Sequence, residues 1–172
     1  MWWIYFDASA LVKRYSPETG SVVVDEVFRL VPLDRLICST LCITEVASIL
    51  VRKRNDGRLT RAQYNQAMSE FNNEVIAPEN FSAAQINDDL LLSSLSLISK
   101  HNINAADAAI LRSAINLRDA LQPTGEALML WASDKRLVRA AKAERITVFD
   151  PAVETIAQLH QLLGVSDQTT QS

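Results

Sequence analysis

Four carboxylates stand where an α/β fold would bring them together: Asp7, Glu45, Asp107 and Asp134. Asp7 and Asp134 each follow a short apolar run, WWIYF and ALMLWAS, at the point where a buried strand passes into a helix. In open parallel sheets, ligands collect at the carboxyl ends of the strands. Carboxylates crowded at such an edge repel each other unless a divalent cation that prefers oxygen ligands is bound. The pattern therefore predicts a Mg²⁺ or Mn²⁺ site that activates water for in-line attack on a phosphodiester.

Each of the four also has an ordinary structural explanation. Asp7 and Asp134 can serve as helix N-caps, and Asp107 suits the first turn of a helix capped by Asn104. Glu45 can be a solvated glutamate on a helix face. Asp107 leads into the apolar stripe of its helix, so it should face inward. The prediction of a site therefore rests on the joint pattern.

The elements that must position these residues alternate between strands and helices, which indicates an α/β fold with a parallel sheet flanked by helices on both faces. The sequence predicts strands at 2–6, 35–39, 127–132 and 146–149. It predicts helices at 8–13, 18–30, 41–56, 60–75, 82–100, 105–121, 134–144 and 151–163. The helices at 41–56 and 60–75 are predicted to form an inserted antiparallel hairpin outside the sheet core. We expect one domain over residues 1–165 and a polar, disordered tail over 166–172.

Composition restricts the function classes. The 172 residues carry a formal net charge of −3, so nucleic acid would have to be bound through a local patch or metal ions. Cys38 and Cys42 lack the partners of a zinc site and are expected to be half-buried structural thiols. His101 and His160 show no evident partner and are expected to be structural or surface residues. No apolar stretch reaches the ~20 residues of a membrane span, so we expect a cytoplasmic protein without membrane contact.

Four stretches of the sequence resemble the PIN-domain family, and specifically the VapC-type toxins of toxin–antitoxin systems. They are FDASALVK around Asp7, ITEVASIL around Glu45, NAADAAIL around Asp107 and ASDKRL around Asp134. Their order and spacing cover residues 1 to about 150. The resemblance implies a PIN-like parallel sheet, metal-dependent endoribonuclease activity, a homodimer, and inhibition by a small antitoxin encoded beside the toxin.

The resemblance also implies roles for individual residues. Asp7, Glu45 and Asp107 would be the main metal ligands, and Asp134 a further ligand or a carboxylate that positions water. Ser9 and Ser133 would be their hydrogen-bonding neighbours, with Ser133 standing where many relatives have threonine. Extra sequence at 78–98 and 121–126 makes this chain longer than the compact members of the family.

The densest positive run follows Glu45 on the same predicted helix and continues beyond it: Arg52, Lys53, Arg54, Arg58 and Arg61. We predict that Arg52, Lys53 and Arg54 bind RNA phosphates. Arg52 is the strongest candidate, because seven residues place it about 10 Å further along nearly the same helix face as Glu45. The alternative is a solvated basic helix end. A second, weaker candidate is the group Lys135, Arg136 and Arg139.

The predicted hairpin carries apolar residues at helical spacing: Ile49, Leu50, Tyr64, Met68 and Phe71. They indicate either a groove for a dimer partner or antitoxin, or ordinary core packing.

Two rival functions remain. A haloacid-dehalogenase-like phosphohydrolase would use Asp7 as a covalent nucleophile with Lys135 beside the phosphate, but it requires an aspartate at position 9, where this chain has Ser9. A non-catalytic PIN-like interaction module would keep the fold without cleaving RNA.

Overall fold

A five-stranded parallel sheet forms the centre of the protein in a computed structural model that describes residues 1–78 and 81–165. The strands are β1 (Trp2–Phe6), β2 (Leu36–Ser39), β3 (Ser82–Ala84), β4 (Ala127–Trp131) and β5 (Thr147–Phe149). The helices are α1 (Ala8–Leu11), α2 (Ser21–Leu30), α3 (Thr40–Asn55), α4 (Arg61–Phe71), α5 (Asp88–His101), α6 (Ala105–Leu121), α7 (Lys135–Ala143) and α8 (Ile156–Leu163). Single 3₁₀ turns follow α1, α2 and α6, and a π-helical turn (Asn72–Ile76) extends α4.

Helices cover both faces of the sheet, as predicted. In β1, Ile4 and Phe6 point into a core shared with α1, α2, α3, α4 and α8, whereas Tyr5 points into a second core shared with α5, α6 and α7. This alternation is the period of two that a strand imposes on its side chains. Since both faces are covered, the central strands are apolar along their whole length, which explains the continuous apolar runs in the sequence.

The strand order places a topological switch point beside the first strand. The order is β3-β2-β1-β4-β5, so the chain leaves β1 in one direction and later returns on its other side as β4. Phe6 pairs with Cys38 of β2 and with Trp131 of β4, and Trp131 pairs with Phe149 of β5. The carboxyl ends of four strands therefore lie at one edge of the sheet, where α/β folds bind ligands.

The helical hairpin α3–α4 connects β2 to β3, but it does not lie outside the core as predicted. Val46 and Leu50 of α3 and Phe71 of α4 are fully or almost fully buried in the same core as β1. Ile49, Tyr64 and Met68 pack against that core. Core packing therefore accounts for the apolar residues of the hairpin, including those considered as a docking groove.

Three element boundaries differ from the sequence prediction. Residues 82–84, predicted as helix, form the edge strand β3, and α5 begins only after Asn87, whose side chain accepts the N–H of Leu90 at 2.9 Å. The second helix begins after Gly20, not at residue 18. The last helix begins after Thr155, where Thr155 and Gln158 form a capping box, instead of at residue 151.

Gly20 has a φ of +93°, and a Cβ there would stand 2.2 Å from the carbonyl oxygen of Pro151. Only glycine fits this close approach between the start of α2 and the turn after β5.

No helix within the described residues is long and apolar enough to cross a membrane. The tail predicted over residues 166–172 falls outside the described part of the chain.

Candidate active site

The four predicted carboxylates line one cavity at the carboxyl edge of the sheet. Its volume is about 280 Å³. Asp7, Glu45, Asp107 and Asp134 reach it from four different elements, and Ala8, Ser9, Ser48, Ile49 and Arg52 complete the lining. The structure thus brings together residues that are up to 127 positions apart in the sequence. It does so because β1 and β4 are adjacent, while α3 and α6 begin beside the same edge.

Asp7 follows β1 directly and is only 5% exposed. Its Oδ2 accepts the backbone N–H of Ser9 at 2.9 Å and also a very short hydrogen bond from the Ser9 hydroxyl. Burial raises the pKa of Asp7 and the negative charge of Asp134 raises it further, while the bonds from Ser9 lower it in part. Asp7 is therefore both the N-cap of α1 and an unfavourably buried charge.

Asp134 and Asp107 are also held by capping interactions. The Oδ1 of Asp134 accepts the backbone N–H groups of Arg136 at 2.8 Å and Leu137 at 3.1 Å. The side chain of Asn104 accepts the N–H of Asp107 at 2.8 Å and donates its own amide to Asp107 Oδ2 at 2.9 Å. The capping explanation is confirmed, and it leaves the site prediction open, because each cap engages one carboxylate oxygen.

Glu45 shares one face of α3 with Ser48 and Arg52, and all three line the cavity, as its helix position predicts. Burial, followed by the charges of Asp7 and Asp107, raises the pKa of Glu45 to about 7. Burial, with the charges of Asp134 and Asp7, raises the pKa of Asp107 to about 6. In addition to burial, these carboxylates therefore oppose each other's ionisation.

The donor chemistry of this cavity suits a hard divalent cation. Carboxylate and hydroxyl oxygens are the ligands that Mg²⁺ and Mn²⁺ prefer, and no cysteine or histidine lines the cavity. In their present positions, no three His, Cys, Asp or Glu side chains in the described ranges are grouped closely enough to hold a metal ion. Bringing these carboxylates closer together requires a counter-charge, because they already raise each other's pKa.

The three predicted RNA-binding residues of α3 have different surroundings. Arg52 is exposed and lines the cavity, where its charge partly offsets the rise in the pKa of Glu45. Arg54 is exposed outside the cavity lining, with its guanidinium 4.6 Å from the ring centre of Tyr64.

The prediction for Lys53 is wrong. Its side chain is buried and binds Glu18 at 2.5 Å and the Ser16 hydroxyl at 2.9 Å, so it cannot contact RNA phosphates.

The second basic group borders the site on its other side. Lys135 and Arg136 are exposed at the start of α7, and the charge of Arg136 lowers the pKa of Asp107 in part. Arg139 donates instead to the carbonyl oxygen of His101 at 3.1 Å. Arg52 and Arg136 therefore lie near different carboxylates of the same cavity.

The histidines and cysteines lie away from the cavity lining. The expectation that the histidines have no partners is wrong: His101 Nε2 is 2.5 Å from Glu144 Oε1, and His160 Nε2 is 2.7 Å from Glu26 Oε1. Cys38 and Cys42 are free thiols, as predicted, but they are fully buried where half-burial was expected.

Sequence reasoning missed Asp150 at the end of β5, whose Oδ1 accepts the Ser133 hydroxyl at 2.7 Å. The signal was present, because ITVFD repeats the pattern of WWIYFD. Ser48 and Ile49 were also missed as cavity residues, although Ser48 lies one turn beyond Glu45.

A larger cavity, about 800 Å³, opens at the opposite edge of the sheet around the first residues of β4 and β5. Its charged groups are largely satisfied by one another: Lys100 binds Glu144, and Arg118 binds Asp119 and the Glu144 carbonyl. The smaller cavity is the candidate site, because it contains the mutually repelling carboxylates.

The amino-acid sequence matches no protein-family model and no curated protein. Similar solved structures include PAE2754 from Pyrobaculum aerophilum, with a TM-score of 0.59 and 17% identity over 95% of this chain and 96% of that one. VapC20 from Mycobacterium tuberculosis is a toxin that cleaves the sarcin-ricin loop. Its TM-score is 0.56, with 14% identity over 80% of this chain and 94% of that one. A toxin–antitoxin complex from Klebsiella pneumoniae has a TM-score of 0.51 and 16% identity over 86% of this chain and 97% of that one.

At these identities the likeness is one of fold. It agrees with the resemblance carried by the four carboxylate motifs and with the parallel sheet flanked by helices. This chain has the PIN-domain fold of the VapC-type toxins.

Proposed function

We propose that this protein is a metal-dependent endoribonuclease and the toxin of a type II toxin–antitoxin system. The observation that carries the proposal is the convergence of four carboxylates from four elements on one cavity, where they raise each other's pKa. The likeness of the fold to that of VapC20, which cleaves an RNA, supports RNA as the substrate. Such a toxin would act in the cytoplasm.

In this proposal Asp7, Glu45 and Asp107 hold Mg²⁺ or Mn²⁺, and Asp134 is a further ligand or orients water. A cation held by these residues would supply Lewis-acid chemistry for the attack of water on a phosphodiester. Ser9 keeps Asp7 in one orientation through two hydrogen bonds to the same oxygen. The buried position of Asp7 strengthens every electrostatic interaction made there.

Arg52 and Arg136 are proposed to bind the phosphates on either side of the scissile bond. They lie near Glu45 and Asp107 respectively, and both side chains are exposed to solvent. A guanidinium can donate two hydrogen bonds to a phosphate. This local positive charge would compensate for the overall charge of −3. Arg54 would contribute less, because it is directed toward Tyr64.

The nuclease proposal is tested by incubating the purified, partner-free protein with mixed RNAs and Mn²⁺. Asp7→Asn and Asp107→Asn should abolish cleavage. Asp119→Asn provides a matched control, since Asp119 is on the same helix as Asp107 but pairs with Arg118 outside the cavity. Cleavage in EDTA, or undiminished cleavage by both variants, would refute the mechanism.

The two rival functions have less support. The dehalogenase-like mechanism requires a second acid at position 9, whereas the Ser9 hydroxyl donates to the proposed nucleophile Asp7. A non-catalytic module would not need four carboxylates that oppose each other's ionisation. RNA binding without cleavage at any Mn²⁺ concentration would favour that module.

We also propose two protein partners. A small antitoxin is supported by the likeness to the Klebsiella pneumoniae toxin–antitoxin complex. Co-expression of the adjacent small reading frame should inhibit the nuclease and co-purify with it. Failure of both would refute the toxin assignment while leaving the nuclease chemistry intact.

The second partner is another copy of this chain, bound through α5. Leu91, Leu92 and Leu95 are 42%, 67% and 57% exposed on this helix. Acidic residues begin α5 and Lys100 lies near its end, so two antiparallel copies would place opposite charges side by side. A twofold dimer through this face would cover all three leucines.

A further inference from the structure

A chain of hydrogen bonds crosses the carboxyl ends of three neighbouring strands. It begins at Asp150 after β5, whose Oδ1 accepts the Ser133 hydroxyl at 2.7 Å. The backbone N–H of Ser133, after β4, donates to the Ser9 hydroxyl oxygen at 2.9 Å. The Ser9 hydroxyl in turn donates to Asp7 after β1. Asp150 is thus connected to the most buried carboxylate of the site.

The Ser9 hydroxyl is the link that gives this chain a direction. Its oxygen accepts two backbone N–H groups, from Ser133 at 2.9 Å and from Asp134 at 3.3 Å. A serine hydroxyl has two lone pairs and one proton. Because both lone pairs are engaged, the proton is directed to Asp7 Oδ2. The orientation of Asp7 therefore depends on where the 133–134 backbone is held.

Asp150 is well placed to hold that backbone. Besides the Ser133 hydroxyl, its Oδ1 accepts the N–H of Ala152 at 2.9 Å, and its own N–H donates to Glu154 at 2.6 Å. The turn that follows packs against Gly20 at the start of α2. One bond thus holds the Asp150 carboxylate and the other holds its backbone, so the carboxylate offers a fixed acceptor to Ser133.

Asp150 does not act on the site through its charge. It does not line the cavity, and the charges that raise the pKa values of Glu45 and Asp107 come from the other site carboxylates. The hydrogen bond to Ser133 is therefore the direct contact by which the Asp150 carboxylate reaches the site.

We propose that Asp150 is a positioning residue of the carboxylate site. By accepting the Ser133 hydroxyl, it fixes the two backbone N–H groups that orient Ser9 toward Asp7. Its effect on metal binding rests on the proposed function, whereas its effect on the orientation of Ser9 does not. The role requires an acceptor oxygen and no charge, so asparagine should replace it.

The orientation of Ser9 is tested without metal by a double-mutant cycle. Asp150→Ala and Ser9→Ala are made singly and together, and urea unfolding is measured in EDTA. If the two residues act through one network, their effects on the unfolding equilibrium constant do not multiply. The increase in this constant in the double variant is then at least about threefold smaller than the product of the two single increases. The control cycle pairs Ser9→Ala with Thr155→Ala, which removes hydrogen bonds of the α8 capping box that involve neither Ser133 nor Asp150. That cycle should be multiplicative within about twofold.

The consequence for the site is measured as the Mn²⁺ dissociation constant by titration calorimetry. Asp150→Ala should raise it by about tenfold, the size of effect seen when residues that orient metal ligands are removed. Asp150→Asn should stay within about threefold of the wild type, because its side-chain oxygen can accept the same hydrogen bonds. Ser133→Ala removes only the donor and should behave like Asp150→Ala. It replaces Asp150→Ala in both experiments if that variant fails to fold.

The outcomes separate this proposal from the proposed function. A multiplicative Ser9–Asp150 cycle, or an unchanged Mn²⁺ dissociation constant in Asp150→Ala when the wild type binds Mn²⁺, overturns the positioning role and leaves the nuclease proposal standing. A coupled cycle in a wild-type protein that binds no Mn²⁺ supports the positioning role and refutes the metal-dependent mechanism.

Discussion

Replacing Glu45 by glutamine should stabilise the metal-free protein at pH 8. Burial and neighbouring charges raise the pKa of Glu45, and no hydrogen bond contributes to that shift. Glutamine keeps the size, the shape and nearly the helix propensity of glutamate, so the substitution removes little besides the charge. The variant therefore measures how unfavourable the ionised cluster is when no cation is bound.

The expected magnitude follows from the shift in pKa. A rise from 4.5 to about 7 corresponds to about 3 kcal/mol of unfavourable free energy when Glu45 is ionised. Glu45 is only half-buried, and solvent screens part of this interaction, so we expect about 1–2 kcal/mol. For a chain of this length, that stabilisation raises the melting temperature by roughly 3–6 °C.

The pH dependence identifies the cause. Because the pKa of Glu45 is higher in the folded than in the unfolded state, its unfavourable contribution is absent below the unfolded value of 4.5 and complete above about 7. The advantage of Glu45→Gln should therefore be full at pH 8 and lost near pH 4.5. Scanning calorimetry in EDTA at both pH values measures it.

Glu70→Gln is the matched control, because Glu70 is an exposed helix glutamate that does not line the cavity. It should change the melting temperature little at either pH. In saturating Mn²⁺ the order of stabilities should reverse, since the wild type gains more from the cation. A Glu45→Gln variant that is no more stable than the wild type at pH 8 in EDTA would refute the picture of mutually repelling carboxylates.

Four further predictions concern the site and its surroundings. Mn²⁺ affinity, measured by calorimetry, should rise by about twentyfold from pH 6 to pH 8, because Glu45 and Asp107 must lose protons with pKa values of about 7 and about 6. An affinity that does not depend on pH would exclude these two residues as ligands. Arg52→Ala should weaken RNA binding more than Mn²⁺ binding and lower the slope of log Kd for RNA against log salt concentration by about 0.7, and Arg54→Ala should have a smaller effect. Equal losses of RNA binding and metal binding in Arg52→Ala would contradict the assignment of Arg52 to phosphate. Glu18→Gln should lower the free energy of unfolding in urea by about 2–3 kcal/mol, because Lys13 and Lys53 are buried and share the Glu18 carboxylate. An unchanged urea midpoint would show that neither lysine needs this counter-charge. Leu92→Glu should convert a dimer to a monomer in sedimentation experiments, with the exposed Val22→Glu as a control on another helix; a dimer that survives Leu92→Glu does not use this face.

The positions of the carboxylates could be predicted because strand ends and helix columns are local properties of the sequence. Asp7 follows an apolar run, and Glu45 and Arg52 are seven residues apart on one helix face. What brings them together is the strand order, which depends on packing between distant segments and was not predicted from the sequence.

Lys53 shows a different kind of error. Its neighbours Arg52 and Arg54 made it part of a charged run, but its spacing from Val46 and Leu50 is that of the buried stripe of α3. The position of Lys53 on the helix therefore indicated burial, whereas its charge wrongly suggested exposure. A lysine can lie on such a stripe when a carboxylate reaches it from another element, and Glu18 does so here. The edge strand β3 was missed because three small residues give no clear alternation.

The two explanations weighed for the aspartates, helix capping and the proposed metal binding, are compatible in the folded protein. A carboxylate has two oxygens, and the caps of Asp7 and Asp134 engage one oxygen of each with two donors. The cap fixes the side-chain orientation before a cation binds, which lowers the entropy lost on binding. Glu45 lies inside a helix, where no cap is available, so in the proposed site the cation itself would have to order it. The difference explains why substituting Glu45 isolates the repulsion within the site, whereas substituting Asp7 would also remove charge from a helix N-cap.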